Sequence, residues 1–234
     1  MDSNFEKIAP DTETREGLYS ATRSDPGNWT SGIVGIGRLV GSMRGISAPT
    51  MAHWLGSADL VTPQIMQRID HATFMAISRA YYWRALNADA VGVGIDRMLF
   101  DFGFNAGVSR AAKQFQQIVG VPDSQIDGDI GAATLRALDT VRLEAIAGFV
   151  ARGWAVQLQQ DLGVSPDGAL GPLTLSAVNK QAMWRRLMIY ALASRQELAY
   201  RSFRGFMENG DGWLNRLNWR VKASLSDLDA LALA

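Results

Sequence analysis

Hydrophobic positions recur with helical spacing along most of the chain. Phe5, Ile8 and Thr12 share one face of a short helix predicted over residues 4–15, and Gly17 gives it a natural stop. Ser47 or Thr50 is placed to cap a short helix running through Trp54. Thr62-Pro63, a capping residue followed by proline at the first turn, opens a longer helix predicted to reach about Asn87, with Ile65, Met66, Ile69, Ala76, Ile77 and Ala80 on its apolar face. Further helices are predicted near 95–104, 107–119, 130–147, 148–162, 172–208 and 213–230. Residues 17–47 follow a different pattern. Gly17, Gly27, Gly32, Gly35, Gly37, Gly41 and Gly45 interrupt short apolar pieces such as Ile33-Val34 and Leu39-Val40, and Asp25-Pro26-Gly27 is a turn signal. This stretch predicts a small, glycine-rich β-hairpin in an otherwise α-rich chain.

The pattern also repeats. Gln114-Phe115-Gln116-Gln117, Gly120-Val121, Asp127-Gly128, Gly131 and Thr134-Leu135 return as Gln157-Leu158-Gln159-Gln160, Gly163-Val164, Asp167-Gly168, Gly171 and Thr174-Leu175. The offset is 43 residues before the turn and 40 after it, so the first copy holds three extra loop residues. Each copy reads as helix, Asp-Gly turn, helix. The repeat resembles the helical peptidoglycan-binding repeat; a duplicated helical hairpin serving only as scaffold fits the pattern equally well.

Composition narrows the chemistry. The 234 residues carry 23 basic and 23 acidic side chains, and 47% of positions are hydrophobic, as in a folded globular protein. Balanced charge removes the simplest argument for a nucleic-acid partner. The last quarter is locally basic, with Arg185, Arg186, Arg195, Arg201, Arg204, Arg216, Arg220 and Lys222 on solvated helix faces or turned toward an anionic polymer. Cysteine is absent, which excludes disulfides, a thiolate nucleophile and zinc–thiolate sites. His53 and His71 are the only histidines, so neither a His-rich metal site nor a Ser-His-Asp triad is expected; no metal and no cofactor are expected. The polar start, Met1 to Arg15, has no apolar core of a signal peptide, and no run approaches the ~18 apolar residues of a membrane span.

What remains is carboxylate chemistry. Glu16 falls at a predicted helix end, with Asp25 nine residues on and Thr30 five beyond that. A carboxylic acid that donates a proton near neutral pH needs a raised pKa, and both a helix C-terminus and partial burial push that way. A second carboxylate across a cleft can orient water or stabilise positive charge on a sugar ring. Two solvated acids with no shared task are the plainer alternative.

An ordered set of short motifs bears on that choice. Arg15-Glu16-Gly17-Leu18-Tyr19 resembles the Glu-Gly-Gly-Tyr signature of glycoside hydrolase family 108, the phage-type N-acetylmuramidases. Asp25-Pro26-Gly27 is similar to that family's turn, Gly45-Ile46-Ser47 to its Gly-Ile-Thr/Ser step, and Tyr82-Trp83 to its aromatic pair. Phe100-Asp101 with Asn105 and Gly107 resembles its Phe-Asp-x-x-x-Asn-x-Gly helix. Gly212-Trp213-Leu214-Asn215-Arg216 resembles the ending of the predicted peptidoglycan domain that usually follows. Leu18 departs from the family in replacing the second glycine, and residues 31–44 look like an insertion.

The resemblance implies a mainly α, lysozyme-like α+β fold with the small hairpin near the N-terminus and a C-terminal helical bundle. Residues 1–95 would be the muramidase region. Residues 96–234 would be the peptidoglycan domain, with its repeats at about 112–139 and 155–179. Glu16 would be the general acid that cleaves the N-acetylmuramic acid–N-acetylglucosamine bond, and Asp25 the second polar group. Either Thr30 or Ser42 would hold the attacking water. Tyr19, Trp83, Asp101 and Asn105 would contact the glycan, although core roles for Trp83 and Asn105 are open. The implied partner is bacterial peptidoglycan, met by a monomer with no stable membrane insertion. Such a protein would be made in the cytoplasm and reach the periplasm or wall through a holin or another export system, in a phage, a gene-transfer particle or as a secreted effector. A non-catalytic wall-binding module and a lytic transglycosylase using the same glutamate are the alternatives.

Overall fold

The computed structural model describes residues 4–233, so the first three residues of the polar start and Ala234 lie outside the described residues. The chain forms two compact units, residues 1–83 and 84–234, a division that falls before the functional boundary expected near residue 95.

The N-terminal unit begins with α1 (Phe5–Glu13), which buries Phe5, Ile8 and Thr12 as its spacing predicts, and Ala9 beside them. After the glycine-rich segment comes α2 (Ala48–Leu55), capped by Ser47. The long helix expected from Thr62 is divided. α3 (Pro63–Gln67) stops at Arg68, and α4 (His71–Ser78) restarts after Asp70 and runs on as a π-helical turn over Arg79–Trp83. Asp70 is extended and its carboxylate accepts the Thr73 N–H at 2.8 Å, so a new N-cap interrupts the apolar periodicity. That backbone hydrogen bond lowers the Asp70 pKa from its ordinary value. α4 packs on α1, with Phe74 and Ile77 buried and Trp83 edge-on to Phe5 at 5.4 Å.

The expected β-hairpin is not formed. Among the described residues the glycine-rich segment holds only isolated antiparallel bridges, Ser20–Ser42, Trp29–Leu39 and Met43–Ile46. A ladder needs consecutive extended residues, and positive φ angles at residues 32, 35, 37, 41 and 45 break every candidate strand. The fold is therefore mainly α, and the α+β description fails at this segment.

The C-terminal unit is helical throughout: α5 (Ala88–Val91), α6 (Ile95–Ala106), α7 (Val108–Ile118), α8 (Ala132–Thr140), α9 (Leu143–Ala147), α10 (Arg152–Asp161), α11 (Pro172–Lys180), α12 (Trp184–Ser202) and α13 (Phe206–Ala232). The helix expected over 130–147 is split by extended Val141 and Arg142, and that over 172–208 by Ala182, whose φ is +53°. α12 and α13 pack along each other and against α6. Among the described residues no helix is long and apolar enough to cross a membrane.

The duplicated pattern forms the same polar bracket twice. Gln116 donates to Asp127 Oδ1 (2.7 Å) and Asp129 O (2.9 Å), and accepts the Gly128 N–H at 2.9 Å. Gln159 donates to Asp167 Oδ1 (2.7 Å) and Ala169 O (3.1 Å), and accepts the Gly168 N–H at 2.7 Å. Thr134 and Thr174 close the brackets, each 3.3 Å from its glutamine. A buried amide needs several partners, and the Asp-Gly turn supplies them. The repeated Gln, Asp, Gly and Thr are thus the parts of one structural device.

Candidate active site

Glu16 leaves the C-terminal end of α1, half-buried, with its N–H on the Glu13 carbonyl at 3.1 Å. Beyond it the chain runs antiparallel to residues 42–44. Ser20 and Ser42 exchange two backbone hydrogen bonds (3.0 and 2.8 Å), and Arg44 N–H donates to the Gly17 carbonyl at 3.0 Å. The Tyr19 hydroxyl donates to the Val40 carbonyl at 3.0 Å. Its ring fills the space a side chain would need at Gly41, where a Cβ would meet Tyr19 Cε2 at 2.5 Å, so this contact requires glycine.

Tyr82 in the π-helical turn lies within electrostatic reach of Glu16 and hydrogen-bonds Thr50 of α2. Burial raises the Tyr82 hydroxyl pKa, the Thr50 hydrogen bond opposes the rise, and the charge of Glu16 adds to it. The Glu16 carboxylate therefore acts electrostatically on Tyr82. Below the turn, Glu13 is only 8% exposed. It accepts from Arg44 Nη1 with one oxygen, and its other oxygen lies 2.5 Å from His71 Nδ1. Arg44 Nε donates to the Ile69 carbonyl at 3.0 Å.

The remaining candidate residues divide by what their side chains already do. Asp25 is exposed and its carboxylate caps the turn Pro26–Asn28, accepting the Gly27 N–H at 2.8 Å. Thr30 is buried, and its hydroxyl accepts the Arg38 N–H at 3.0 Å, closing the 31–37 loop. Ser42 is half-buried, and among the described residues its hydroxyl makes no hydrogen bond. The structure thus separates two hydroxyls that the sequence leaves equivalent. Trp83 is a buried core residue of the N-terminal unit.

Asp101 and Asn105 belong to one hydrogen-bond network of the C-terminal unit, Asp101 at its buried centre and Asn105 at its exposed edge. Asp101 is fully buried; Arg216 grips it through two bonds (3.0 and 2.8 Å) and Arg220 through one (2.7 Å). Burial alone would raise this carboxyl, but the Arg220 and Arg216 guanidiniums outweigh it and hold the group well below the usual carboxylate range. Asn105 accepts from the Tyr200 hydroxyl at 2.9 Å, and Tyr200 stacks on Trp213. The Phe-Asp and Gly-Trp-Leu-x-Arg motifs thus meet each other. Part of the basic last quarter is paired as well: Arg186 with Asp161 and Asp229, and the half-exposed Arg201 with Glu197.

Sequence reasoning missed Glu13 and Arg44, and took Thr50 only as a possible helix cap. The one local signal for Arg44 is its position before Gly45 in a tight turn.

The glycosyl hydrolase 108 family model matches residues 10–107. A solved structure of Brucella abortus SagA is similar at 22% identity, with a TM-score of 0.59, covering 96% of this chain and 95% of that one, a likeness of fold. No curated protein matches the chain. The match begins inside α1 and takes in the Glu16 turn, the glycine-rich segment and α6: the chain carries a glycosyl hydrolase 108 domain and is a glycoside hydrolase.

Proposed function

We propose that the protein is a lysozyme, an N-acetylmuramidase that cleaves the N-acetylmuramic acid–N-acetylglucosamine bond of peptidoglycan. The family gives peptidoglycan as the substrate in general. The observation that carries the finer reading is the half-buried Glu16 carboxyl at the end of α1, inside the matched segment and electrostatically coupled to Tyr82. In this reading Glu16 protonates the glycosidic oxygen as the bond to the anomeric carbon breaks. Water held by the Ser42 hydroxyl then adds to that carbon and passes its proton to a carboxylate of the site, with Asp25 as the second polar group. Tyr19 lines the substrate side of the turn. The available Ser42 hydroxyl favours hydrolysis over transglycosylation, which uses no water.

Digestion of purified murein tests this directly. Glu16→Gln should stay folded and lose about 100-fold or more of the turnover. Wild type should release reducing ends, and 1,6-anhydro ends by mass spectrometry would identify a transglycosylase instead. Full lysis by Glu16→Gln would overturn the assignment.

We further propose that the C-terminal unit is a peptidoglycan-binding domain. A cavity of about 920 Å³ lined by Arg142, Glu144, Leu175, Ser176 and Asn179 opens on the second repeat and supports that reading. Action on murein puts the working site in the periplasm or wall, reached as a monomer through a holin or another export route.

A further inference from the structure

The turn that faces the exit of α1 has an unusual construction. Met43 and Ile46 exchange backbone hydrogen bonds (3.1 and 2.9 Å), and the two residues between them, Arg44 and Gly45, both have positive φ, +52° and +73°. That is the pattern of a type I′ turn, in which asparagine or glycine is favoured at the first central position. An arginine held there carries backbone strain that glycine would not. The turn alone does not call for it, so its side chain must supply the compensation.

Arg44 holds three points at once, one through its backbone and two through its side chain. Its main-chain N–H holds the Gly17 carbonyl, immediately after Glu16. Its Nη1 donates to the buried Glu13 carboxylate, the last residue of α1, and its Nε donates to the Ile69 carbonyl ahead of α4. Glu13 is held from the other side by His71. The segment from Glu13 to Gly17 is therefore gripped at both ends by one residue, with Glu16 between them. A forked guanidinium suits this task, because a point charge cannot serve a carboxylate and a carbonyl in fixed directions together.

We propose that Arg44 is a positioning residue for Glu16: it fixes the Glu13–Gly17 exit of α1 so that the Glu16 carboxyl is held in register with the scissile bond. This rests on Glu16 as the proton donor. Strained backbone kept for the sake of a side chain is a known mark of functional sites.

The experiment measures kcat and KM on solubilised murein glycan for Arg44→Gly, Glu13→Gln, the double variant and Glu16→Gln. Arg44→Gly relieves the turn and keeps the backbone bond to Gly17, but it removes the side-chain hold on Glu13 and Ile69, so it should fold with a melting temperature lowered by several degrees, buried Glu13 keeping only His71. Its kcat should fall about 10- to 100-fold with KM within about twofold, the signature of a misplaced group rather than lost binding. Glu13→Gln leaves the turn backbone untouched and should show a smaller kcat loss of the same kind. The double variant should be no worse than Arg44→Gly, because both act through one contact. Full kcat in Arg44→Gly beside an inactive Glu16→Gln would overturn the inference while leaving the muramidase reading intact. Independent, multiplying losses in the double variant would overturn it too. An active Glu16→Gln would instead remove the reading on which it stands.

Discussion

The two units treat their polar motif residues in opposite ways. In the C-terminal unit Asp101, Arg216, Arg220, Gln196, Tyr200 and Asn105 are joined in a chain of side-chain hydrogen bonds, with Asp101 and Arg220 fully buried. In the N-terminal unit Glu16, Asp25 and Ser42 stay at or near the surface on a segment held by lone bridges and single side-chain bonds. A buried charge with all its partners inside the protein stabilises one arrangement and has little left for a ligand. A partly exposed group on a well-anchored turn keeps capacity for chemistry. Motif resemblance alone does not distinguish the two cases; burial and hydrogen-bond inventory do.

The contrast can be broken first at its extremes. Glu16→Gln, with its loss of turnover and unchanged stability, is the largest expected functional effect. Asp101→Asn should do the reverse. It leaves two guanidiniums without their anion, one of them fully buried, and should cost about 3–5 kcal/mol in urea unfolding. Retained stability in that variant would mean the network is not holding the unit together.

Acid titration gives the same contrast without mutation. The folded Asp101 pKa lies below its ordinary value near 3.8. Its contribution is therefore fully present above that value and is lost as pH falls through the lowered folded value. Circular dichroism of wild type and Asp101→Asn from pH 6 downward should show the stability gap between them narrow only in strong acid. A gap that closes above pH 4 would contradict the assignment.

Smaller effects sharpen the comparison. Thr30→Val should lower stability by about 1–3 kcal/mol, since it leaves the Arg38 N–H without its acceptor. Ser42→Ala should leave the melting temperature alone and reduce turnover. If the two outcomes exchange places, the water-holding hydroxyl is Thr30. The smallest expected stability change is for Asp25→Ala, where loss of the turn cap should cost about 0.5–2 kcal/mol, while turnover should fall with the loss of the second polar group of the site.

Much of this was readable from residues alone. Periodicity located α1, α6 and α7 because each presents an apolar stripe to a core. It joined helices wherever that stripe continued through a break, as at Asp70, where a cap overrides the pattern, and at Ala182, where a left-handed residue does. The glycine count marked residues 17–47 as irregular but could not tell hairpin turns from left-handed positions that prevent strands. A signature surrounds Glu16 and singles it out as a candidate. Nothing comparable marks Arg44, whose proposed role lies in a positive φ and in a carboxylate 31 residues away in sequence. The fate of Asp101 was hidden for the same reason, since its partners are 115 and 119 residues distant.

The duplicated Gln–Asp–Gly–Thr bracket amounts to a length experiment already carried out. Its first copy spans Pro122 to Ile126 between Val121 and Asp127, while the second crosses the same gap with Ser165-Pro166 alone. Both close with nearly the same bond lengths. Loop entropy rises slowly with length, so the anchoring bonds and not the intervening residues decide the outcome. The 122–126 loop is accordingly a permissive insertion point, where an affinity tag or fluorophore can be carried without disturbing either helix.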